Sequence, residues 1–157
     1  MSAYVPLWVK SNHSFLEGAS FPEELVERAN ALGLSSIAIT DRDGVYGLVR
    51  AHMRAKDLGI RIVTGAQLSI DVEGRAHHVI ALAKTRRGYA DLCRALSLGH
   101  ARCEKGISLV ELADLQEATR LVLPLPDAGT AASPVLGSRA FGALCALHPP
   151  SHRARKA

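Results

Sequence analysis

An α/β fold with mostly parallel strands is predicted by three features of the sequence. Short apolar runs of β-branched character alternate with stretches of helical period. Capping boxes and glycines punctuate those stretches. Strands separated by helices of this length imply βαβ units.

Val5 to Val9 is a short apolar run that fits a buried strand. Ser20-Phe21-Pro22-Glu23 matches a capping box, with Ser20 at the N-cap, Glu23 at N3 and proline in the first turn. Leu25, Ala29 and Leu32 follow at helical spacing, and Gly33 suits the left-handed position that ends a helix. Ser36 to Thr40 reads as a buried strand. Gly44 to Leu58 carries Val45, Leu48, Val49, His52 and Met53 along one helical stripe closed by Gly59. Arg61 to Thr64 is a further strand, and Gln67 to Val72 alternates before Glu73-Gly74 and His78 to Ala83, the pattern of a hairpin. Arg86 to Leu98 is helical by period, Ser108 to Glu111 repeats the capping box before a short helix ending near Glu117, and Leu121 to Leu125 is a last strand. In such folds the site lies at the C-terminal edge of the strands, which here falls at Lys10, Thr40-Asp41-Arg42, Gly65 and Ala83.

Residues 1–126 are therefore expected to form one domain. Residues 127–157, rich in Ala, Gly, Pro, Ser, His and Arg without sustained period, read as a poorly ordered tail, with an apolar turn at Phe141 to Leu147. With 48% apolar and 22% charged residues in 157, the chain can bury a core. A net charge of +4 is too small to argue for nucleic acid. The three cysteines form no CxxC pair, which argues against a disulfide framework or zinc ribbon. No run approaches the ~18 apolar residues of a membrane span, and Met1 to Lys10 lacks a secretory pattern. A cytoplasmic protein without a membrane partner is expected.

Several segments, taken in order, carry a resemblance. They are Ser14-Phe15-Leu16-Glu17-Gly18-Ala19-Ser20, Glu24-Leu25-Val26 through Ala31-Leu32-Gly33-Leu34, Ala38-Ile39-Thr40-Asp41-Arg42-Asp43 with Tyr46-Gly47, and Gly59 through Ala66. His78 to Lys84 and Gly88 to Leu92 continue the series. Together they resemble the PHP domain that opens bacterial C-family DNA polymerase α subunits, over Tyr4 to about Leu115. Asn12 to Ser20 and Thr40-Asp41-Arg42 look most like the error-prone, damage-induced branch. The resemblance implies an irregular βα barrel, of which this chain supplies the earlier strands. It also implies partners in the remainder of such a polymerase or in other replication and repair proteins, with DNA met only indirectly. The palm, fingers and thumb are absent and the tail departs from the family, so a truncated or misread gene product is one expectation.

Intact members of the family hold zinc or manganese on histidines and carboxylates at strand ends, and their polymerase core uses magnesium. Metal-assisted phosphoester hydrolysis needs such ligands to lower the pKa of bound water and to stabilise the attacking and leaving oxygens. The resemblance places Trp8 and Lys10 at the family's His-x-His pair, Arg42 at the histidine of Thr-Asp-His, and Gln67 at a glutamate. Glu17, Asp41 and His78 keep family-like residues. An indole N–H only donates, and an ammonium or guanidinium repels a metal. No catalytic residue, metal or other cofactor is therefore expected in this chain. Lys10 and Arg42 are expected to neutralise Glu17 and Asp41 in place of the metals. The competing readings are a working metal-dependent phosphoesterase or 3′–5′ exonuclease, and a non-functional fragment.

Other groups have plainer explanations. His13 reads as a loop residue, and His77 and His78 point to opposite faces by the period of a strand. Cys93, His100 and Cys103 have zinc-like spacing, but Cys93 falls on an apolar helical face. Arg86, Arg87, Arg94, Arg102 and Lys105 read as solvated helix surface with Tyr89 the single aromatic among them.

Overall fold

The computed structural model describes residues 4–72, 75–115 and 119–124; the tail expected over 127–157 lies outside them. The elements run α1 (Pro22–Ala31), β1 (Ser36–Ile39), α2 (Leu48–Leu58), β2 (Arg61–Val72), β3 (Arg75–Ala83), α3 (Arg86–Arg102), β4 (Val110–Glu111), a 3₁₀ turn (Leu112–Asp114) and β5 (Thr119–Pro124). The sheet order is β1-β2-β3-β5, with β4 also paired to β2. β1 and β4 lie parallel to β2, whereas β2–β3 and β3–β5 are antiparallel. Mostly parallel thus narrows to partly parallel, because the hairpin runs over nine residue pairs from Thr64–Ala83 to Val72–Arg75.

The two runs expected on either side of Gly65 are one strand. A side chain at Gly65 would come within 2.6 Å of Leu82 Cδ2 and 2.9 Å of Thr40 Cγ2, so the glycine lets β2 continue through a crowded point. Even-numbered β2 residues face the helices. Ala66, Leu68 and Ile70, with Val79 and Ala81 of β3, pack on Leu92, Ala95 and Leu96 of α3. Ile37 and Ile39 of β1 pack with Val26 and Ala29 of α1 and Leu48, Ala51 and Ala55 of α2. Leu92 is fully buried, worth roughly 2 kcal/mol over leaving it in water. The opposite face carries Ala38, Ile80 and Leu82 with Leu7 and Val63, and in the β2–β3 register Gln67, Ser69 and His78 share it.

Four local expectations are corrected. The α1 N-cap is Phe21, not Ser20, and it is Glu24 that accepts the Phe21 N–H at 2.8 Å. Proline at position 22 fixes the first helical residue there and moves the frame by one. The buried stripe of α2 is Leu48, Ala51 and Ala55, while Val49 and Met53 are exposed; small alanines let α2 lie close on α1, and Arg50 and Arg54 cross to Glu23 and Glu27. After Ser108 the chain forms β4 and a 3₁₀ turn instead of an α-helix. There Asp114, not Ser108, caps, accepting the Glu111 N–H at 3.1 Å.

The fourth concerns the first run. Val5 to Val9 lies along β1 without forming a regular ladder. Ala38 donates to the Pro6 carbonyl and Thr40 to that of Val9, so three residues on one side span two on the other. Pro6 has no N–H to give, and Thr40 Oγ1 accepts the Val9 N–H at 3.0 Å, filling the irregular step. The α1 terminus is as expected. Gly33 has φ 70°, Leu34 N donates to Ala29 O, and Gly33 N donates to Asn30 O, the paired bonds of a Schellman ending.

Candidate functional site

β1 runs directly into Asp41-Arg42-Asp43, which continues along β2. Gln67 N donates to Asp41 O at 2.9 Å, and Asp43 N donates to Gln67 O at 2.7 Å. This places Arg42 beside Gln67. The irregular first run brings Trp8 and Lys10 to the same edge, and Trp8 Nε1 donates to Gln67 Oε1 at 3.3 Å. Two of the residues expected at metal-ligand positions thus bond to each other.

The turn after Lys10 brings Glu17 back over this edge. Ser14 N donates to Ser11 O, and Glu17 N and Gly18 N both donate to Ser14 O. Lys10 Nζ donates to Glu17 Oε2, and an Arg42 terminal nitrogen donates to Glu17 Oε1 at 2.6 Å. Lys10 is the best shielded of the three, with 16% of its side chain exposed against 28% for Glu17 and 44% for Arg42. Partial burial works to raise the Glu17 pKa, but the bond and charge of Lys10, then of Arg42, outweigh it and hold the carboxyl below its ordinary 4.5.

A group with a depressed folded pKa contributes stability that is complete above its unfolded pKa and is lost as pH falls through the folded value. The contribution from Glu17 should therefore fade below about pH 4.5. Because the cluster is partly solvated, Glu17→Gln is expected to cost only about 1 kcal/mol at neutral pH. Urea melts from pH 7 to 3 check this: the gap between the two proteins should close on acidification, and a pH-independent gap would contradict the assignment.

Asp41 does not join this cluster, contrary to the expected pairing with Lys10 or Arg42. It is 1% exposed and its carboxylate accepts the Ser11 N–H at 2.6 Å, the Ser11 hydroxyl at 2.8 Å and the Ser14 hydroxyl at 2.7 Å. Three short donors match a buried carboxylate without bringing a second charge out of water. Ser14 Oγ in turn accepts the Arg42 N–H at 3.0 Å. Nothing in the sequence marks Ser11 and Ser14 as the partners of Asp41; a pair of serines three apart in a polar loop is too common a signal.

His78 stands apart from the cluster. It lies opposite Ser69 on the hairpin, and its Nδ1 is 3.4 Å from Ser69 Oγ. Asp43, also missed, accepts both the Ser69 N–H at 2.8 Å and the Ser69 hydroxyl at 3.0 Å. It holds a left-handed backbone, φ 48°, which aspartate tolerates better than most residues. The pairing register puts His77 on the helix-facing side with Ile70, as period 2 requires.

The remaining candidates disperse. His100 Nε2 meets the Asp43 carbonyl at 2.8 Å, while Cys103 lies at the α3 C-cap. A side-chain hydrogen bond between Tyr89 and Cys93, with burial, raises the Tyr89 pKa. Arg102 is held by Asp114 and Glu111, whereas Arg86, Arg87, Arg94 and Lys105 are exposed. Among the described residues no three His, Cys, Asp or Glu side chains converge as a metal site, and no helix is long and apolar enough to cross a membrane.

Comparison with known proteins identifies the family. The chain is 49% identical over 105 residues to an error-prone DNA polymerase of Anaeromyxobacter sp. (strain K), covering 66% of this chain and 9% of that one. It is 44% identical over 124 residues to the error-prone DNA polymerase of Mycobacterium bovis, covering 74% and 11%. It thus spans about a tenth of the length of these curated relatives. A solved structure described as that of a metal-dependent phosphoesterase from Bifidobacterium adolescentis superposes with a TM-score of 0.52 at 23% identity, over 64% of this chain and 34% of that one, a likeness of fold. The PHP domain model matches residues 7–122, the stretch that holds the sheet, its helices and the Lys10–Glu17–Arg42 cluster, and the chain belongs to the PHP domain family.

Proposed function

We propose that this chain serves as the PHP portion of an error-prone DNA polymerase, a metal-free scaffold that packs within such an enzyme and does not hydrolyse phosphoesters. The observation that carries this reading is the convergence of Lys10 and Arg42 on the single carboxylate of Glu17. An ammonium and a guanidinium bond that carboxylate, and at the same strand end an indole N–H is bonded to a carboxamide. This donor set does not fit a divalent cation, which would lie between two fixed positive charges and find one carboxylate already taken up by both. The relatives named as error-prone DNA polymerases support the polymerase context. On this reading, template-directed nucleotidyl transfer belongs to the parts of those enzymes that this chain does not match.

Elemental analysis of the purified protein after dialysis against zinc and manganese tests the proposal, together with turnover of a phosphodiester substrate. Trace metal and no turnover are expected. Stoichiometric metal accompanied by hydrolysis would overturn it in favour of a working phosphoesterase.

A further inference from the structure

At the end of the sheet away from Glu17, positive charge collects without counterions. Ser36 of β1 stands opposite Arg61 of β2, and Ala83 of β3 stands opposite both Thr64 and Thr119, so these residues share that end. There α1 finishes at Ala31 ahead of β1, α2 finishes at Leu58 just before β2, and α3 starts at Arg86 just after β3. The topology thus gathers Arg28, Lys56, Arg61, Lys84, Arg86 and Arg87, all exposed. Among the described residues none of the six has an ion pair, whereas Arg50, Arg54 and Arg102 each have one. Glu27 and Asp57, next to Arg28 and Lys56 in the chain, are both engaged by Arg54. Such an arrangement opposes folding. Like charges within about 10 Å repel at ordinary salt, and cations in the first turn of a helix oppose its dipole. α1 opens with Glu23 and Glu24, but α3 opens with Arg86 and Arg87 and has no acid in its first turn. Two apolar groups stand at the same end. Leu32, the α1 C-cap, is 58% exposed, and Tyr4, set beside the start of β1 by the bond from Ala38 to the Pro6 carbonyl, is 67% exposed.

We propose that this end of the sheet docks an acidic segment of a separate protein, rich in aspartate and glutamate with apolar residues between them. The carboxylates of the segment meet the guanidinium groups of Arg61, Arg86 and Arg87, each of which can match a carboxylate with two N–H groups. Its apolar residues meet Leu32 and Tyr4. Arginine outnumbers lysine in the patch, and arginine with tyrosine is what protein interfaces concentrate, while they are poor in lysine. A nucleic acid would use the charges alone, since one exposed ring cannot serve a run of bases. The association is reversible, because a permanently buried interface sheds charge from its centre, where unpaired ions are costly. This surface lies apart from the strand-end site and goes beyond the scaffold role, so its failure would leave that reading intact.

Fluorescence anisotropy of a labelled peptide of about sixteen residues, two acidic in every three with leucine as the third, tests this on the full chain. Saturable binding at about 0.1 M salt is expected, and the same peptide with amides in place of its acids should not bind. Arg61→Glu and Arg87→Glu should each weaken binding about tenfold with unchanged thermal melts. Arg87, on the exposed first turn of α3, carries the test if Arg61→Glu melts early. Lys105→Glu makes the same change in net charge past the far end of α3, about 25 Å away, and should leave binding unaltered. Absence of saturable binding, equal binding of the amide peptide, indifference to both arginine substitutions, or an equal loss in Lys105→Glu would overturn the proposal. So would a DNA duplex that displaces the peptide at lower concentration and loses affinity in the same variants, an outcome that assigns the cations to nucleic acid.

Discussion

Replacing Asp41 with alanine should destabilise the protein by about 3–4 kcal/mol, a large part of the roughly 5–15 kcal/mol that holds a small domain together. The carboxylate is buried and accepts three donors, the Ser11 N–H and the hydroxyls of Ser11 and Ser14. Ser11 and Ser14 are themselves 0% and 1% exposed, so no solvent stands ready to replace it. The hydroxyls can turn, but the Ser11 N–H cannot. Asparagine separates hydrogen bonding from charge. Its oxygen can serve the Oδ1 partners, and its NH₂ can donate to a rotated Ser11 hydroxyl, so Asp41→Asn should cost only about 1 kcal/mol. Urea denaturation of the three proteins measures both values. Equal losses for alanine and asparagine would mean that charge, not the donor set, holds the loop.

Most of the fold was legible because period and punctuation agreed. The α1 ending, the β1 run, the end of α2 at Gly59 and the hairpin all follow from signals spanning a few residues. What failed was decided elsewhere. The α2 sequence offers two apolar stripes, and nothing local says that Ala51 and Ala55, rather than Val49 and Met53, face inward. Packing against α1 chooses the alanines because they allow close approach, and the crossing pairs Arg50–Glu23 and Arg54–Glu27 fix the rotation. Likewise Ser108 to Glu111 satisfies the capping pattern, yet β2 offers a free edge beyond Arg42 and takes up Val110 and Glu111 as a strand. A tertiary pairing overrode a local preference.

At the site, residue identity spoke more clearly than contact did. The resemblance grouped Lys10, Glu17, Arg42 and Gln67; in the structure Lys10 and Arg42 bond Glu17, and Arg42 pairs with Gln67. It grouped Asp41 with the cations because both carboxylates belong to the same family pattern. Burial separates them. Glu17 keeps access to water and can take two long cationic side chains, whereas Asp41 lies under the loop, where short hydroxyls fit and a guanidinium does not. Which carboxylate takes which partner depends on the depth of the loop, and depth is not written in the spacing of residues.

The depth of that loop depends in turn on Gly18, and Gly18→Ala is expected to cost about 3 kcal/mol. A β-carbon at this position would lie 2.1 Å from the Ser11 carbonyl oxygen, 2.6 Å from its carbon and 3.0 Å from the Lys10 oxygen. Those atoms are backbone and tethered: Ser11 N is bound to Asp41, and Asn12 N to Ser20 O. The loop must therefore open, carrying Glu17 away from Lys10 and Arg42 and loosening the roof over Asp41. Gly33→Ala is the matched control, since its φ of +70° imposes strain but nothing lies within 4 Å, and about 1 kcal/mol should be lost there. Thermal melts give the ranking, and the acid limb of stability gives the cause. If the loop has opened, Gly18→Ala should also erase the Glu17-dependent decline below about pH 4.5. An alanine variant that keeps both its melting temperature and that decline would show that the turn can yield without releasing the ion pairs.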